Sequence, residues 1–345
     1  MNHNLESLEA QQDHSTEQDD TFGFADVWNG SLLEREDRPV VARNRLWASE
    51  LGKAPIDVVL KMRGEVPTNP PNARSLRKFE AGNIWEWIVK LILVRAGILL
   101  EEQTWLAHQY PDLLEVSGKL DFLAGGKPDY QKGRESLKEL MLPDVFIRAG
   151  ENIMNFFEKN YPNGLETKVL EIKSVSSFIF DSLEPNKRAT KIHRMQCYHY
   201  LKAKGVQRGE IVYICRDDCR MMAVPVILGG PDEELYKGAI ETLTKWYNSK
   251  ELPPLEKPVV WDEDMQKFSK NFNVAYSMYL TKLYGFKDQA EFDDKFGPVA
   301  ERWNRVIGRL RDGKEMTENN QEALAEMEEA GFDIELIKKQ IIKTK

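Results

Sequence analysis

The feature that most constrains the fold is the order in which helical and strand patterns alternate between residues 74 and 248. Residues 74–96 repeat apolar side chains at the helical period and stop at Gly97, which predicts a long helix. The predicted elements that follow are strands 98–108, 113–123 and 167–175, helix 186–204, strands 210–215 and 220–227, and helix 232–248. Strands interleaved with helices in this order predict an α/β fold with a central mixed β-sheet flanked by helices.

Segments outside this pattern predict how the chain is divided. Residues 125–165 interrupt the strands and predict a helical insertion, which lies inside a main domain of residues 21–250. Residues 1–20 are polar and acidic and predict a disordered tail. Residues 251–287 begin with a proline-rich stretch and predict a linker. Residues 288–345 are charged and predict a helical C-terminal region, which we expect to be able to dock a protein partner.

The charge is distributed unevenly along the chain. With 48 Lys and Arg against 56 Asp and Glu, the net charge is −8, which argues against a wholly basic nucleic-acid coat protein. Residues 1–20 carry −6 and residues 286–345 carry −3, so the body between them is +1. Between Pro185 and Gly209 there are seven Lys and Arg and no acid. Such a run is either a solvated helix face or a surface that binds anions.

Two further properties indicate a cellular compartment. No stretch approaches the roughly 18–20 apolar residues that a transmembrane helix needs, so we expect no membrane association. Three cysteines are too few for a disulfide framework, which favours a reducing, cytoplasmic environment.

Two acids and one lysine are the strongest candidates for chemistry. Glu171 and Lys173 lie two apart in a predicted strand, so they share one face, while Ile172 points to the opposite one. Asp121 lies near the end of the preceding predicted strand. An alternating surface strand would also give a charged pair, but charges on a covered strand need partners or a metal. Carboxylates that repel each other are neutralised by a divalent cation such as Mg²⁺, which can polarise a phosphate and activate a water. The set therefore suits cleavage of a phosphodiester.

Four short motifs occur in a fixed order around these residues. They are residues 82–86 (GNIWE) on the long helix, 116–121 (VSGKLD), 170–174 (LEIKS), and 196–200 (QCYHY) on a downstream helix. In this order they resemble the PD-(D/E)xK nuclease superfamily, and within it the RecB-like exonuclease branch. The resemblance spans about residues 43–227.

This resemblance implies a restriction-endonuclease-like core and a Mg²⁺- or Mn²⁺-dependent deoxyribonuclease. It implies metal binding by Glu86, Asp121, Glu171 and the Ile172 carbonyl, and catalysis by Asp121, Glu171 and Lys173. By analogy, the substrate would be DNA with single-stranded ends, cut by an exonuclease of replication, recombination or repair in the cytoplasm of a bacterium or phage-infected host. A catalytically silent nuclease fold that binds DNA or a protein is the competing interpretation.

The downstream helix carries the residues expected to bind DNA. Gln196 and Tyr200 lie four apart and so share a face with His193. Lys191 and Arg194 come from the acid-free basic run on the same helix. Gln can hydrogen-bond a phosphate and Tyr can stack on a base. In the competing interpretation, Tyr200 is a core residue and Gln196 is its neighbour.

The sequence departs from the family in two respects. The 50-residue spacing from Asp121 to Glu171 is longer than usual and corresponds to the predicted insertion. Asp144 follows Pro143 and so spells the family's "PD", but no strand pattern precedes it, and Asp121 is preferred. The second departure is the absence of the four cysteines that hold an iron–sulfur cluster in many relatives, so no cluster is expected. The three cysteines present are Cys197, Cys215 and Cys219.

Overall fold

The computed structural model describes residues 23–36, 39–139, 143–263 and 265–342. The acidic tail predicted over residues 1–20 lies outside them. Helix α1 (Phe24–Glu36) belongs to a compact unit that ends before Pro39, and the remaining described residues form a second unit. Within the described ranges, no helix combines the length and the apolar character needed to cross a membrane.

The second unit alternates strands and helices as the sequence pattern predicts. Its strands are β1 (Leu46–Trp47), β2 (Leu99–His108), β3 (Val116–Gly126), β4 (Leu165–Val175), β5 (Arg208–Cys215), β6 (Met221–Ile227), β7 (Val259–Asp262) and β8 (Lys267–Lys270). Its helices are α2 (Pro55–Met62), α3 (Ala73–Arg95), α4 (Tyr130–Glu139), α5 (Asp144–Asn160), α6 (Ser177–Leu183), α7 (Lys191–Lys204), α8 (Pro231–Asn248), α9 (Phe272–Ala275), α10 (Leu280–Tyr284), α11 (Gln289–Arg311), α12 (Glu318–Glu329) and α13 (Ile334–Ile342).

Strands β1 to β6 form one six-stranded sheet that contains parallel and antiparallel pairs. Strand β3 pairs with β2 and β4 antiparallel and with β1 parallel. Strand β4 pairs with β5 parallel, and β6 closes the far edge as the antiparallel partner of β5. The predicted α/β fold with a central mixed sheet flanked by helices is therefore confirmed.

Each face of the sheet is covered by a separate hydrophobic core. The core on the side of α7 and α8 includes Leu120, Val169 and Tyr213, and we call it the α7-side core. The core on the side of α3 includes Phe122 and Ile172, and we call it the α3-side core. Because each core excludes water from one face, the central residues of β3, β4 and β5 are buried on both faces, and charged groups inserted there must find partners.

Two helices differ from the sequence prediction. Helix α7 begins at Lys191 rather than at residue 186, because the Thr190 side chain accepts the His193 amide hydrogen bond as its N-cap and Lys187 has a left-handed φ of 45°. In α3 the apolar side chains of Leu76, Val89 and Leu93 are buried, whereas those of Phe79, Ile84 and Trp87 are exposed. Val89 and Leu93 belong to the α3-side core, which leaves other apolar side chains of the helix in contact with solvent, so apolar character alone did not identify its buried face.

The segment predicted as a linker contains regular structure. Strands β7 and β8 form an antiparallel hairpin within residues 251–287, and α9 and α10 follow it. Phe268 of this hairpin packs with Trp303 and Phe332 in a core shared with α11 to α13. The proline-rich start of the segment signals a chain reversal but carries no information about these distant packing partners. The domain boundaries themselves stay predictions.

Candidate active site

An opening in the sheet lies between β3 and β4. Strand β3 pairs with β2 along residues 116–124, and its other edge pairs with β1 at residues 116–117 and with β4 from Phe122 onward. Residues 118–121 therefore have no strand partner on that edge among the pairings of the described residues. Beyond the Phe122–Leu170 pair, β4 continues beside β5 alone.

Asp121 lies where the two strands separate. Its Oδ2 accepts a hydrogen bond from the Ile172 amide at 2.8 Å, which satisfies a buried N–H that has left the β3 ladder. Leu120 belongs to the α7-side core and Phe122 to the α3-side core, so the strict alternation of faces is interrupted at Asp121. Because the N–H and C=O of one strand residue point to the same edge, the Ile172 carbonyl also faces the opening.

Glu171 and Lys173 form an ion pair beside Asp121. Glu171 is completely buried, and its Oε1 contacts the Lys173 Nζ. Its Oε2 has no hydrogen-bond partner in the described part of the chain. The Lys173 side chain is 21% exposed, so the ammonium lies where the cluster meets the opening.

The acids of this cluster hold their protons more tightly than free carboxyls do. Burial, followed by the charge of Asp121, raises the pKa of Glu171 to about 8. Burial also raises the pKa of Asp121, against the opposing effect of Lys173. Burial disfavours the charged form of Lys173, but Glu171 and Asp121 outweigh it and raise the pKa of that ammonium. One lysine therefore does not offset the carboxylates around it, and a second cation would stabilise their charged forms.

Helix α3 adds Glu86 to the same cluster. Burial and then the charge of Asp121 raise the pKa of Glu86 to about 7. Gln103 of β2 donates a hydrogen bond from Nε2 to Glu86 Oε2 at 3.3 Å, and Gln103 has a left-handed φ of 49°. Gln103 was not among the sequence-predicted site residues, since no motif in the chain marks it. Its left-handed backbone conformation could not be predicted from the sequence, because it occurs within strand β2, which pairs with β3.

The side chains at the opening have the chemistry of ligands for a divalent cation. Among the described residues, no group of three or more His, Cys, Asp and Glu side chains is placed to hold a metal ion. The possible ligand atoms are nevertheless all oxygens, namely those of the Asp121 and Glu171 carboxylates and the Ile172 carbonyl, and Glu171 Oε2 has no hydrogen-bond partner among the described residues. Mg²⁺ binds proteins through one or two carboxylates and keeps several waters. This donor set therefore fits Mg²⁺ or Mn²⁺.

Helix α7 covers the opening with buried side chains. Gln196 donates to the Tyr200 hydroxyl at 3.3 Å, and both residues are buried. The Tyr200 ring packs on Gly118, where an added Cβ would lie 2.8 Å from Cε1. His193 Nδ1 lies 2.7 Å from the Tyr213 hydroxyl, and burial followed by the charge of Lys173 lowers the pKa of His193 to about 3. This placement agrees with the core interpretation of Gln196 and Tyr200, and DNA contact by them stays a prediction.

The basic run on α7 is largely neutralised by acids from other elements. Arg194 donates twice to Asp232 of α8, at 2.8 and 2.5 Å. Two further ion pairs of this kind are Lys202–Glu233 at 2.7 Å and Lys204–Glu101 at 2.5 Å. Lys191 is exposed at the start of the helix. The run thus supplies few free charges, because the fold brings acids from β2 and α8 against it.

The remaining sequence candidates lie away from this cluster. Asp144 is the exposed first residue of α5 and lies on a helix rather than a strand. Cys197 and Cys215 are buried, Cys219 is exposed, and all three are free thiols. The expected absence of an iron–sulfur cluster stays a prediction.

Comparisons with known proteins give distant structural likenesses only. No family model matches the chain, and no curated protein matches it. The solved protein SSO0001 is 14% identical, with a TM-score of 0.40 over 67% of this chain and 90% of that one. The alkaline exonuclease LHK-Exo from Laribacter hongkongensis is 11% identical, with a TM-score of 0.35 over 64% and 92% of the two chains. Its complex with dAMP gives 12% identity and the same TM-score over 64% and 89%. Likenesses this distant carry no statement about the chemistry of this chain.

Proposed function

We propose that the protein is a metal-dependent deoxyribonuclease, a phosphodiester hydrolase that acts on DNA with single-stranded ends. The observation that carries the proposal is the hydrogen bond from the Ile172 amide to Asp121, which holds Asp121 beside the Glu171–Lys173 pair at the opening of the sheet. Burying an acid cluster of this kind costs folding free energy. Carboxyls with strongly shifted pKa values concentrate at functional sites, because the chemistry there requires them.

Asp121, Glu171 and the Ile172 carbonyl would hold Mg²⁺ or Mn²⁺, with Glu86 supporting from α3. When bound, the cation polarises the phosphate and lowers the pKa of a coordinated water. The buried carboxylates bind and orient this cation, and the cores on both faces keep them away from bulk water, where their charge would be screened. Gln103 holds the Glu86 carboxylate in place from β2.

Lys173 acts as a fixed positive charge in this proposal. Its raised pKa keeps the ammonium protonated at neutral pH, so it does not accept a proton from the attacking water. The ammonium instead stabilises the negative charge that grows on the phosphate oxygens as the reaction proceeds. In the hydrolysis, a bond forms between the water oxygen and phosphorus, and the bond from phosphorus to one sugar oxygen breaks. One fragment keeps the phosphate, and the other leaves with a hydroxyl.

The finer biological setting is proposed from the sequence resemblance. It comprises exonuclease action in replication, recombination or repair of a bacterium or phage, inside the cytoplasm. The C-terminal region, residues 288–345, is proposed to dock a protein partner.

The direct test is a cleavage assay on single-stranded and duplex DNA labelled at the 5′ or 3′ end, with Mg²⁺, Mn²⁺ or EDTA. The proposal expects cleavage that depends on the metal and stops in EDTA. The two labels separate exonuclease from endonuclease products and give the polarity. Absence of cleavage under every metal condition by a folded protein would overturn it.

A catalytically silent DNA-binding or protein-interaction subunit is the second candidate. The observation in its favour is that the described residues contain no group of three metal-ligating side chains already in place. It expects DNA binding that weakens as salt rises, with no cleavage at any metal concentration. The same labelled substrates, followed by both anisotropy and gel analysis, separate the two candidates.

A further inference from the structure

A strip of two tryptophans and one lysine crosses strands β1, β2 and β3 on the α3 side of the sheet. It consists of Trp47 of β1, Trp105 of β2 and Lys119 of β3, and we call it the tryptophan strip. Trp105 lies directly opposite Lys119 in the β2–β3 ladder and is 58% exposed. The Trp47 and Trp105 rings lie 5.2 Å apart, tilted by 56°. Trp47 is half-buried, and the Arg43 guanidinium lies 5.3 Å from the centre of its ring, so Trp105 supplies the free aromatic face of the strip. A tryptophan left this exposed forgoes the stability that burial of its large ring would give.

The strip continues directly into the proposed active site. Lys119 precedes Asp121 by two residues on β3, and its positive charge acts on both Asp121 and Glu86. Trp105 follows Gln103 by two residues on β2, and Gln103 is hydrogen-bonded to Glu86. A chain lying along the strip would therefore lead to the opening between β3 and β4.

Lys119 differs from Lys202 and Lys204 of α7 in having no acidic partner among the described residues. Its side chain is exposed, and no carboxylate lies within ion-pair distance of it in the described part of the chain. Lys202 and Lys204, by contrast, are each paired with a glutamate. An unpaired ammonium beside an exposed aromatic ring is free to take a phosphate, whereas a paired one must first break its ion pair.

The chemistry of the strip identifies the ligand. An exposed tryptophan offers a flat face for stacking on a nucleobase, and an adjacent ammonium attracts the phosphate of the same strand. In a duplex the bases are stacked on each other and offer no free face, so the strip fits an unpaired strand. We propose that Trp105 and Lys119 bind the single-stranded segment of the DNA substrate, with a base on Trp105 and its neighbouring phosphate on Lys119. This inference rests on the proposed nuclease function and names how its substrate is held.

The test measures binding apart from chemistry. A fluorescent oligothymidylate is titrated in EDTA, by anisotropy, with the wild-type protein and with Trp105→Ala, Trp105→Phe and Lys119→Gln. The controls are Tyr276→Ala, an aromatic residue 55% exposed near α9, and Lys250→Gln, an exposed lysine after α8. We expect Trp105→Ala to weaken binding about fivefold or more, and Trp105→Phe to keep most of the affinity. Lys119→Gln should lower the slope of log affinity against log salt by about one.

A matched oligonucleotide of abasic sites separates stacking from charge. Trp105→Ala should bind it as the wild type does, because no base is left to stack, whereas Lys119→Gln should still bind it more weakly. If both variants bind oligothymidylate like the wild type while the wild type cleaves DNA with Mg²⁺, the strip is not the binding surface and the nuclease function stands. If the variants lose affinity but the wild type cleaves nothing, the strip stands and the nuclease function is lost.

Discussion

The Asp121 carboxylate accepts a hydrogen bond from the backbone amide of Ile172 at 2.8 Å, and this contact spans the point where β3 and β4 separate. The same carboxylate therefore has a structural role and a proposed chemical one. It satisfies an amide that has left the sheet ladder, and it raises the pKa values of Glu171 and Glu86 through its charge. Variants that separate the hydrogen bond from the charge test both roles.

Asp121→Asn keeps an oxygen that can accept the Ile172 amide but removes the negative charge. We expect an unchanged melting temperature and a loss of metal-dependent cleavage of at least about 100-fold, because a charged ligand contributes several kcal/mol. Asp121→Ala also removes the acceptor, and we expect it to lower the free energy of unfolding by about 1–3 kcal/mol. Asp144→Asn is the matched control and should cleave like the wild type, because Asp144 is an exposed residue at the start of α5. Wild-type cleavage by Asp121→Asn would contradict the assignment.

Lys173→Met removes the ammonium and keeps an unbranched side chain. We expect cleavage to fall by about 100-fold or more, as when an electrostatic stabiliser of the reacting charge is removed. Lys168→Met is the control, since Lys168 lies on the same strand β4 and forms a half-buried ion pair with Glu210 of β5. Both variants should bind single-stranded DNA in EDTA as the wild type does. A Lys173→Met enzyme with wild-type rates would show that the ammonium does not act on the phosphate.

The raised pKa values of the acid cluster predict a pH dependence of stability in the metal-free protein. Glu171 and Glu86 have pKa values of about 8 and about 7 in the fold, above the ordinary value near 4.5. The folded state thus binds these protons more tightly than the unfolded state does. The stabilisation that these two protons contribute is fully present below about pH 4.5 and is lost as the pH rises through 7 and 8. Lys173 is protonated in both states across this range and adds no slope.

Glu171→Gln should remove part of this dependence, because an amide does not titrate. Melting curves in EDTA between pH 5.5 and 8.5 should show the wild type losing melting temperature relative to Glu171→Gln as the pH rises. Glu210→Gln, on neighbouring β5, should follow the wild-type trend. Parallel curves for the wild type and Glu171→Gln would mean that Glu171 does not titrate in this range.

Much of the fold follows from local sequence patterns. The parts that do not follow from them are determined by contacts with residues distant in the sequence. The long helix, the order of the strands and the shared face of Glu171 and Lys173 can be predicted from sequence patterns that span only a few residues. The two-residue strand β1 is too short to show a period, and it becomes a strand only by pairing with Val116 and Ser117. The ion pairs of Lys202 and Lys204 could not be predicted either, since their partners Glu233 and Glu101 are far away in the sequence.

The candidate site shows the same division. Motifs order the acids along the chain, but they do not show that face alternation is interrupted at Asp121, or that Gln103, opposite it on β2, adopts a left-handed φ. Composition also marked the basic run of α7 as the charged surface, whereas the unpaired lysine beside the acids is Lys119. A charge count along the sequence ignores which charges the fold pairs with each other.

The ion pairs of α7 predict that Arg194 and Lys191 respond differently to loss of charge. Arg194→Gln leaves Asp232, which is buried, without its two hydrogen bonds, so we expect the free energy of unfolding to fall by about 1 kcal/mol or more with little change in DNA affinity. Lys191→Gln should leave stability unchanged and reduce the salt dependence of DNA binding. Urea unfolding and anisotropy on both variants check this. The reverse pattern would restore Arg194 as a DNA contact.

The close approach of Tyr200 to Gly118 predicts a large effect from a single methyl group. In Gly118→Ala the new Cβ would lie 2.8 Å from both the Tyr200 Cε1 and the Ala48 Cβ, which real contacts do not tolerate. Either β3 or α7 must shift, so we expect the free energy of unfolding to fall by about 1–3 kcal/mol. Gly82→Ala on α3 is the matched control, because an added Cβ there meets nothing within 4 Å. It should stabilise the helix by about 0.5–1 kcal/mol.

A smaller residue at Tyr200, such as Tyr200→Leu, should recover part of the loss in the Gly118→Ala background, as measured by urea unfolding. Full stability of Gly118→Ala alone would show that the ring does not pack against β3 as described.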